Sequence, residues 1–216
     1  MTVFSWLADN YIEIFGAVTG IIYVFLEIRQ TLWLWPVGII TSAFYIWIFL
    51  TGKIYADMSL QGYYLVISCL GWYWWAKRKN GREEEGENRG KIEERVGEGE
   101  EKSLKVTRLQ FKTGVILAGV FIILFAAMWF ILSDYTDSPV PVRDSFITSL
   151  SIVATWMLAR KIYEHWLLWI VVNSVSTVFF VARGLYPTAV LYAVYCVMSF
   201  VGLIEWKKSI LLSNQN

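Results

Sequence analysis

Histidine and cysteine are nearly missing from this 216-residue chain, which has one His and two Cys. The lone His165 allows no HExxH pair, no Ser–His pair is placed by spacing, and no plausible metal cluster is present, which argues against an intramembrane enzyme. Cys69 and Cys196 stand singly in apolar runs with no CxxC spacing and read as small buried packing residues. Between Pro187 and Trp206 there is no lysine, so a retinal-type Schiff base has no amine to form on. The opening MTVFSWLADNY holds no Lys or Arg and lacks the basic region of a cleaved leader. Basic residues elsewhere are loop-bound and mixed with acids, which speaks against nucleic-acid binding. No cofactor is called for.

What is present is apolar and aromatic, at 56% and 17% of residues. Uncharged runs of the length needed to cross a hydrocarbon core recur along the chain. They predict seven membrane helices, near 11–29, 33–51, 57–76, 112–132, 144–161, 166–183 and 187–206. Residues 77–111 (KRKNGREEEGENRGKIEERVGEGEEKSLKVTRLQF) are densely charged and read as a mobile solvated loop, with room for a helical piece. Arg29, Lys77–Lys79, Arg160, Lys161, Lys207 and Lys208 all fall on one side of the spans, the other side holding only Lys53, Arg143 and Arg183. By the positive-inside rule the amino terminus is outside and the carboxyl terminus cytoplasmic. The acids Glu27, Asp57 and Glu205 lie near span ends, so ion coupling is not indicated. Glu27 is expected to pair with a neighbour such as Arg29 or Arg160, with compensation of a substrate charge as its other role. His165 reads as an interfacial residue.

The spans repeat. Shifted by 131 residues, Tyr55 pairs with Tyr186, Leu60 with Leu191, Tyr64 with Tyr195, Val66 with Val197, Ser68 with Ser199, Gly71 with Gly202 and Trp75 with Trp206. WLW at 33–35 echoes WLLW at 166–169. The expected domains are a first three-helix repeat (11–76), the charged cytoplasmic loop (77–111), a linker helix (112–132) and a second repeat (144–208). Two duplicated bundles about a polar axis describe a carrier that alternates access by rocking one half against the other.

Two polar stripes carry the site. Trp166, Trp169, Asn173 and Ser176 fall within about 80° of one helix face. Indole faces stack on rings and attract cations, and a carboxamide both donates and accepts. The alternative is an aromatic belt with Asn173 as interhelical glue. Asp57, Gln61, Tyr64 and Ser68 span about 60°. Their repeat mates are Thr188, Tyr192, Tyr195 and Ser199. Polar groups in lipid face the protein interior or a water-filled path, so Gln61, Tyr64, Tyr192 and Tyr195 are expected to line a cavity. Asp57 and Thr188 are placed at the helix ends, Gly71 and Gly202 serve close packing, and the same role is the alternative for Ser68 and Ser199.

The WxxWxxxN pattern of Trp166, Trp169 and Asn173, with the LYADMxLQ-like run Ile54–Gln61 and the LYPTAVLY run Leu185–Tyr192, resembles the PnuC family of bacterial vitamin transporters. The likeness covers residues 11–208 apart from the charged loop. It implies an all-α membrane protein with seven helices in the SWEET-like three-plus-one-plus-three parallel repeat, in the bacterial inner membrane. It further implies uptake of nicotinamide riboside by facilitated diffusion, with a cytoplasmic kinase trapping the product. Thiamine uptake, as in PnuT relatives, is the alternative substrate, since both molecules carry a cationic aromatic ring. A seven-span receptor fits less well, and a homo-oligomer is left open.

Overall fold

The protein was analysed as a computed structural model, which describes residues 11–51, 55–90, 106–136 and 138–213. Within them the chain is all-helical: α1 (Tyr11–Ile28), α2 (Leu34–Thr51), α3 (Tyr55–Gly90), α4 (Phe111–Asp134), α5 (Pro141–Ala159), α6 (His165–Ala182) and α7 (Tyr186–Ser213). Four of them, α2, α4, α6 and α7, are long and apolar enough to cross a membrane. Most expected boundaries agree to within a few residues. Two differ: α3 runs on to Gly90 through the charged stretch, and α7 continues to Ser213. Basic and acidic side chains are good helix formers, so a charged run directly after a helix has no reason to stop it.

The helices start and stop for local reasons. Pro141 opens α5 at its first turn, where its missing N–H had no partner to lose. Behind α6, Gly184 takes φ 72, and the Leu185 N–H reaches back to the Phe180 carbonyl at 2.9 Å. That 6→1 bond is the usual stop signal, and glycine adopts the left-handed conformation without strain. α1 and α5 end the same way on residues that are not glycine, Gln30 (φ 54) and Lys161 (φ 55). Their 6→1 bonds are Thr31 N–H to the Leu26 carbonyl, 3.1 Å, and Ile162 N–H to the Met157 carbonyl, 2.9 Å. Across the molecule Lys161 Nζ donates to Gln30 Oε1 at 3.3 Å.

α3 packs along α2 and α7 along α6, while α1 meets α2 and α7, and α5 meets α3, α4 and α6. The core gathers four indoles at the ends of α1 and α5. The Trp35 ring lies where a Cβ on Gly71 would stand, and the Trp166 ring occupies the same position over Gly202. Trp35 meets Trp75 edge-on at 5.3 Å between centroids, and Trp166 meets Trp206 edge-on at 5.9 Å. Trp75 Nε1–H donates to the Ala159 carbonyl at 3.1 Å, and Trp206 Nε1–H to the Glu27 carbonyl at 3.1 Å. The first satisfies a carbonyl left over at a helix C-terminus, and the second joins the Gln30 N–H on the Glu27 carbonyl. Replacing Trp75 by Phe is expected to cost about 1–3 kcal/mol, because the buried Ala159 carbonyl is left unpaired, and replacing Trp206 by Phe is expected to cost less, because the Gln30 N–H still bonds the Glu27 carbonyl at 3.0 Å. A fall in detergent melting temperature for both single variants checks this.

α4 stands apart. It has no buried residue and touches α5 alone among the helices. The last part of the charged stretch does pack, against the sequence-based expectation of a solvated loop. Val106 is buried, the Thr107 N–H bonds the Lys161 carbonyl at 3.0 Å, and the Leu109 N–H bonds Glu164 Oε2 at 2.8 Å. Val106 and Leu109 supply apolar surface, and the α5–α6 turn offers backbone groups for pairing. The cysteines differ from expectation too. Cys69 is exposed, and Cys196 is half-buried with its sulfur 3.3 Å from Ser174 Oγ.

Candidate functional site

A cavity of about 520 Å³ lies among α1, α2, α3, α5, α6 and α7, and α4 lends it nothing. That volume falls inside the roughly 300–1,000 Å³ usual for small-molecule sites. Hydroxyls and amides from all six of these helices meet in this space, where polar side chains of membrane helices escape lipid.

Seven of the eight expected site residues line it: Gln61, Tyr64, Trp166, Trp169, Asn173, Tyr192 and Tyr195. Ser176 does not. It is fully buried, one turn beyond Asn173, where the stripe drifts off the cavity into the helix contact. Ser68 and Ser199, for which close packing was the alternative, also reach the wall. Thr188 is absent from the wall, and the side chain of Asp57 falls outside the described residues.

The two indoles of WLLW are placed differently. Trp166 is 1% exposed and wedged between Gly202, His165 and Trp206, so it meets the cavity only along an edge. Trp169, one turn on, is half-buried and presents more of its ring. Both indole N–H groups are buried without a hydrogen-bond partner. Asn173 Nδ2 donates to Ser199 Oγ at 3.2 Å, and Ser199 Oγ–H donates to the Tyr195 carbonyl at 2.8 Å. This chain fixes the carboxamide against α7. The Tyr195 hydroxyl abuts Gly20 on α1, and the Tyr64 hydroxyl is directed at Ser151 on α5. Tyr192 packs against Phe180, which is not part of the wall, at 5.2 Å between centroids, and Arg143 sits 3.8 Å over the Phe179 ring.

Sequence reasoning missed the contributions of α1, α2 and α5, namely Thr19, Tyr23, Thr41, Ser42, Tyr45, Thr148, Ser151 and Thr155. Scattered single hydroxyls in apolar helices make no stripe. Shifting the WxxWxxxN stripe back by 131 residues gives Trp35, Gly38 and Ser42, a signal that pointed to α2. Glu27 was assigned the wrong neighbour. Its carboxylate bonds His165 Nε2 at 2.9 Å, with both side chains buried. Arg29 instead lies over Phe25, and Arg160 lies over Trp74. His165 is therefore a core residue and not an interfacial one. A partner 138 positions away has no local sequence signal.

The model of the family described as nicotinamide mononucleotide transporter matches residues 10–208. The chain belongs to this family. Among relatives, the nicotinamide riboside transporter PnuC of Escherichia coli (strain K12) is 24% identical over 93% of this chain and 86% of its own. The PnuC of Neisseria mucosa is 26% identical over 95% and 75%. The riboflavin/roseoflavin transporter RibM of Streptomyces davaonensis is 24% identical over 93% and 87%. The crystal structure of the vitamin B3 transporter PnuC superposes with a TM-score of 0.69 at 22% identity, covering 96% of this chain and 85% of that one. The fold is thus that of PnuC, and the resemblance read from WxxWxxxN and its companion segments marks the family correctly. Members are multi-pass membrane transporters rather than enzymes. For the nicotinamide mononucleotide transporter family the polar cavity between the helices, and not a reactive side chain, is the feature to explain.

Proposed function

We propose that this protein carries a planar-ring vitamin, nicotinamide riboside first, across the bacterial inner membrane by facilitated diffusion. The observation that carries the reading is the cavity: all its walls are helices, seven expected residues meet there, and two buried indole N–H groups lack partners. In this reading Trp169 stacks on the ring, with the edge of Trp166 beside it. Asn173, oriented by Ser199, bonds the ring's amide or amino group. Gln61, Tyr64, Tyr192 and Tyr195 bond ribose hydroxyls or ring edges, and Ser176 holds α6 in register behind them.

The carrier works as two repeats, 11–76 and 144–208, joined through the charged stretch 77–111 and the linker helix 112–132. This is the three-plus-one-plus-three, SWEET-like plan. The matching pairs Trp35/Gly71 and Trp166/Gly202, and the matching left-handed ends at Gln30 and Lys161, support it. With the amino terminus outside and the carboxyl terminus cytoplasmic, a kinase in the cytoplasm keeps the gradient inward by phosphorylating what arrives.

A second substrate is favoured by a specific likeness. The riboflavin/roseoflavin transporter RibM matches this chain over nearly the same length as the nicotinamide riboside carriers do. Thiamine is the third. Titrating the purified protein with all three, with tryptophan fluorescence as the readout, is expected to give saturable quenching by nicotinamide riboside. Absence of saturable quenching by any of them overturns the vitamin reading. Flux into liposomes that requires a proton or sodium gradient overturns facilitated diffusion.

A further inference from the structure

Among the described residues lining the cavity, Glu27 is the one Asp, Glu, Lys, Arg or His. It is 2% exposed, and His165, behind it, is 0% exposed. His165 Nδ1 lies 2.7 Å from the Ile162 carbonyl, and Nε2 lies 2.9 Å from Glu27 Oε1. A carbonyl only accepts, so Nδ1 carries a hydrogen. The contact between Nε2 and Oε1 then needs one further proton, held by an imidazolium beside a carboxylate or by a carboxyl beside a neutral imidazole. Either way the pair is neutral as a whole. Without that proton two lone pairs face each other, and the pair carries a full negative charge.

Among the described residues, no second carboxylate bonds the pair, and the one cation nearby is engaged elsewhere. α1 adds Tyr23 and α3 adds Tyr64, both phenols. α2 places Leu34 and Trp35 nearby and has no acid or base other than the phenol of Tyr45. From the α5–α6 turn comes Lys161, which bonds Gln30 and lies 4.2 Å from the centre of the Trp75 ring. α7 sets Trp206 against the imidazole, while its charges Glu205 and Lys208 pair with each other on the exposed side. Among the described residues, the cavity wall therefore has no net negative charge to set against a cation, and the pair holds one proton it can lose. A fixed positive charge placed beside the pair favours the carboxylate and disfavours the imidazolium.

We propose that Glu27 determines the charge of the accepted cargo. A cationic ring binds with loss of the proton shared by Glu27 and His165, which leaves through the cavity to water, and a neutral ring binds without that loss. This rests on the vitamin reading of the cavity. Affinity for the cation then rises with pH, up to tenfold per unit, because the bound state holds fewer protons than the free one. Affinity for a neutral ring of the same shape stays flat.

The test compares nicotinamide riboside with its dihydropyridine form, which is neutral and nearly the same shape, and adds thiamine as a second cation. Calorimetric titration of wild type in buffers of different ionisation enthalpy is expected to show about one proton released for each cation and none for the dihydropyridine. Glu27→Gln is expected to weaken cation binding by about 10- to 100-fold and to abolish its pH dependence, given one charge at contact range in a site of intermediate dielectric. Cations that bind wild type with no proton release overturn the proposal, as does a Glu27→Gln protein with wild-type cation affinity. Should that variant fail to fold, the wild-type buffer series decides by itself. If none of the probes binds wild type, the vitamin reading falls and this inference falls with it.

Discussion

Gly202→Ala is expected to unfold the protein or lower its melting temperature sharply, although it adds a single methyl. The Trp166 ring already occupies the space that a Cβ there needs, and the approach is far closer than real side chains tolerate. The ring has nowhere to go, being held by His165 on one side and Trp206 on the other. Overpacking of this kind typically costs about 1–3 kcal/mol, and more where the neighbour is a rigid ring. Gly71→Ala against Trp35 is expected to behave alike, because the same close approach recurs there. Trp166→Ala removes the wedge itself and is expected to cost about 3–5 kcal/mol. Thermal unfolding in detergent, followed by size-exclusion fluorescence, measures all three. A Gly202→Ala protein as stable as wild type would show that the helices do not approach as described.

Trp169→Ala is expected to do the reverse: fold normally and bind poorly. Its ring is half-buried at the margin of the core and lines the cavity, while Trp166 is fully buried among Gly202, His165 and Trp206. Loss of one stacked ring face, worth about 1–3 kcal/mol, translates to a fall in affinity of roughly 5- to 150-fold. Asn173→Ala is expected to add a comparable loss through the missing carboxamide, with Ser199 left in place by its own bond to the Tyr195 carbonyl. Isothermal titration with nicotinamide riboside, run beside a melting curve, separates the two tryptophans of WLLW into one that acts on affinity and one that acts on stability. Wild-type affinity in both Trp169→Ala and Asn173→Ala would remove the cavity as the binding site.

Much of this was legible before any coordinates. Apolar runs of spanning length located the helices, since lipid leaves backbone groups no alternative to helix. Polar residues recurring at 3, 4 and 7 positions placed Gln61, Tyr64, Trp169, Asn173, Tyr192 and Tyr195 on the cavity wall, because an isolated polar stripe in a lipid-embedded helix must face inward. Periodicity alone failed for Ser176, one step past the curve of the wall. It also gave no hint that Trp166 and Trp169 differ, because the distinction depends on Gly202, 36 residues ahead of Trp166. Charge reasoning failed at Glu27 and His165: the first was given Arg29 or Arg160 as its neighbour and the second was placed at the interface, yet the two bond each other and both are buried. The charged stretch misled in the opposite sense, since its last residues include Val106 and Leu109, enough apolar surface to dock.

The two indole bonds, from Trp75 to the end of α5 and from Trp206 to the end of α1, tie together helices that belong to different halves of the chain. They sit at the same end of the bundle, and the Lys161–Gln30 bond runs between the same two turns. Moving the two halves apart at this end therefore requires all three of these contacts to break together, which makes the junction of α1 and α5 with α7 and α3 a single unit rather than a set of independent ties.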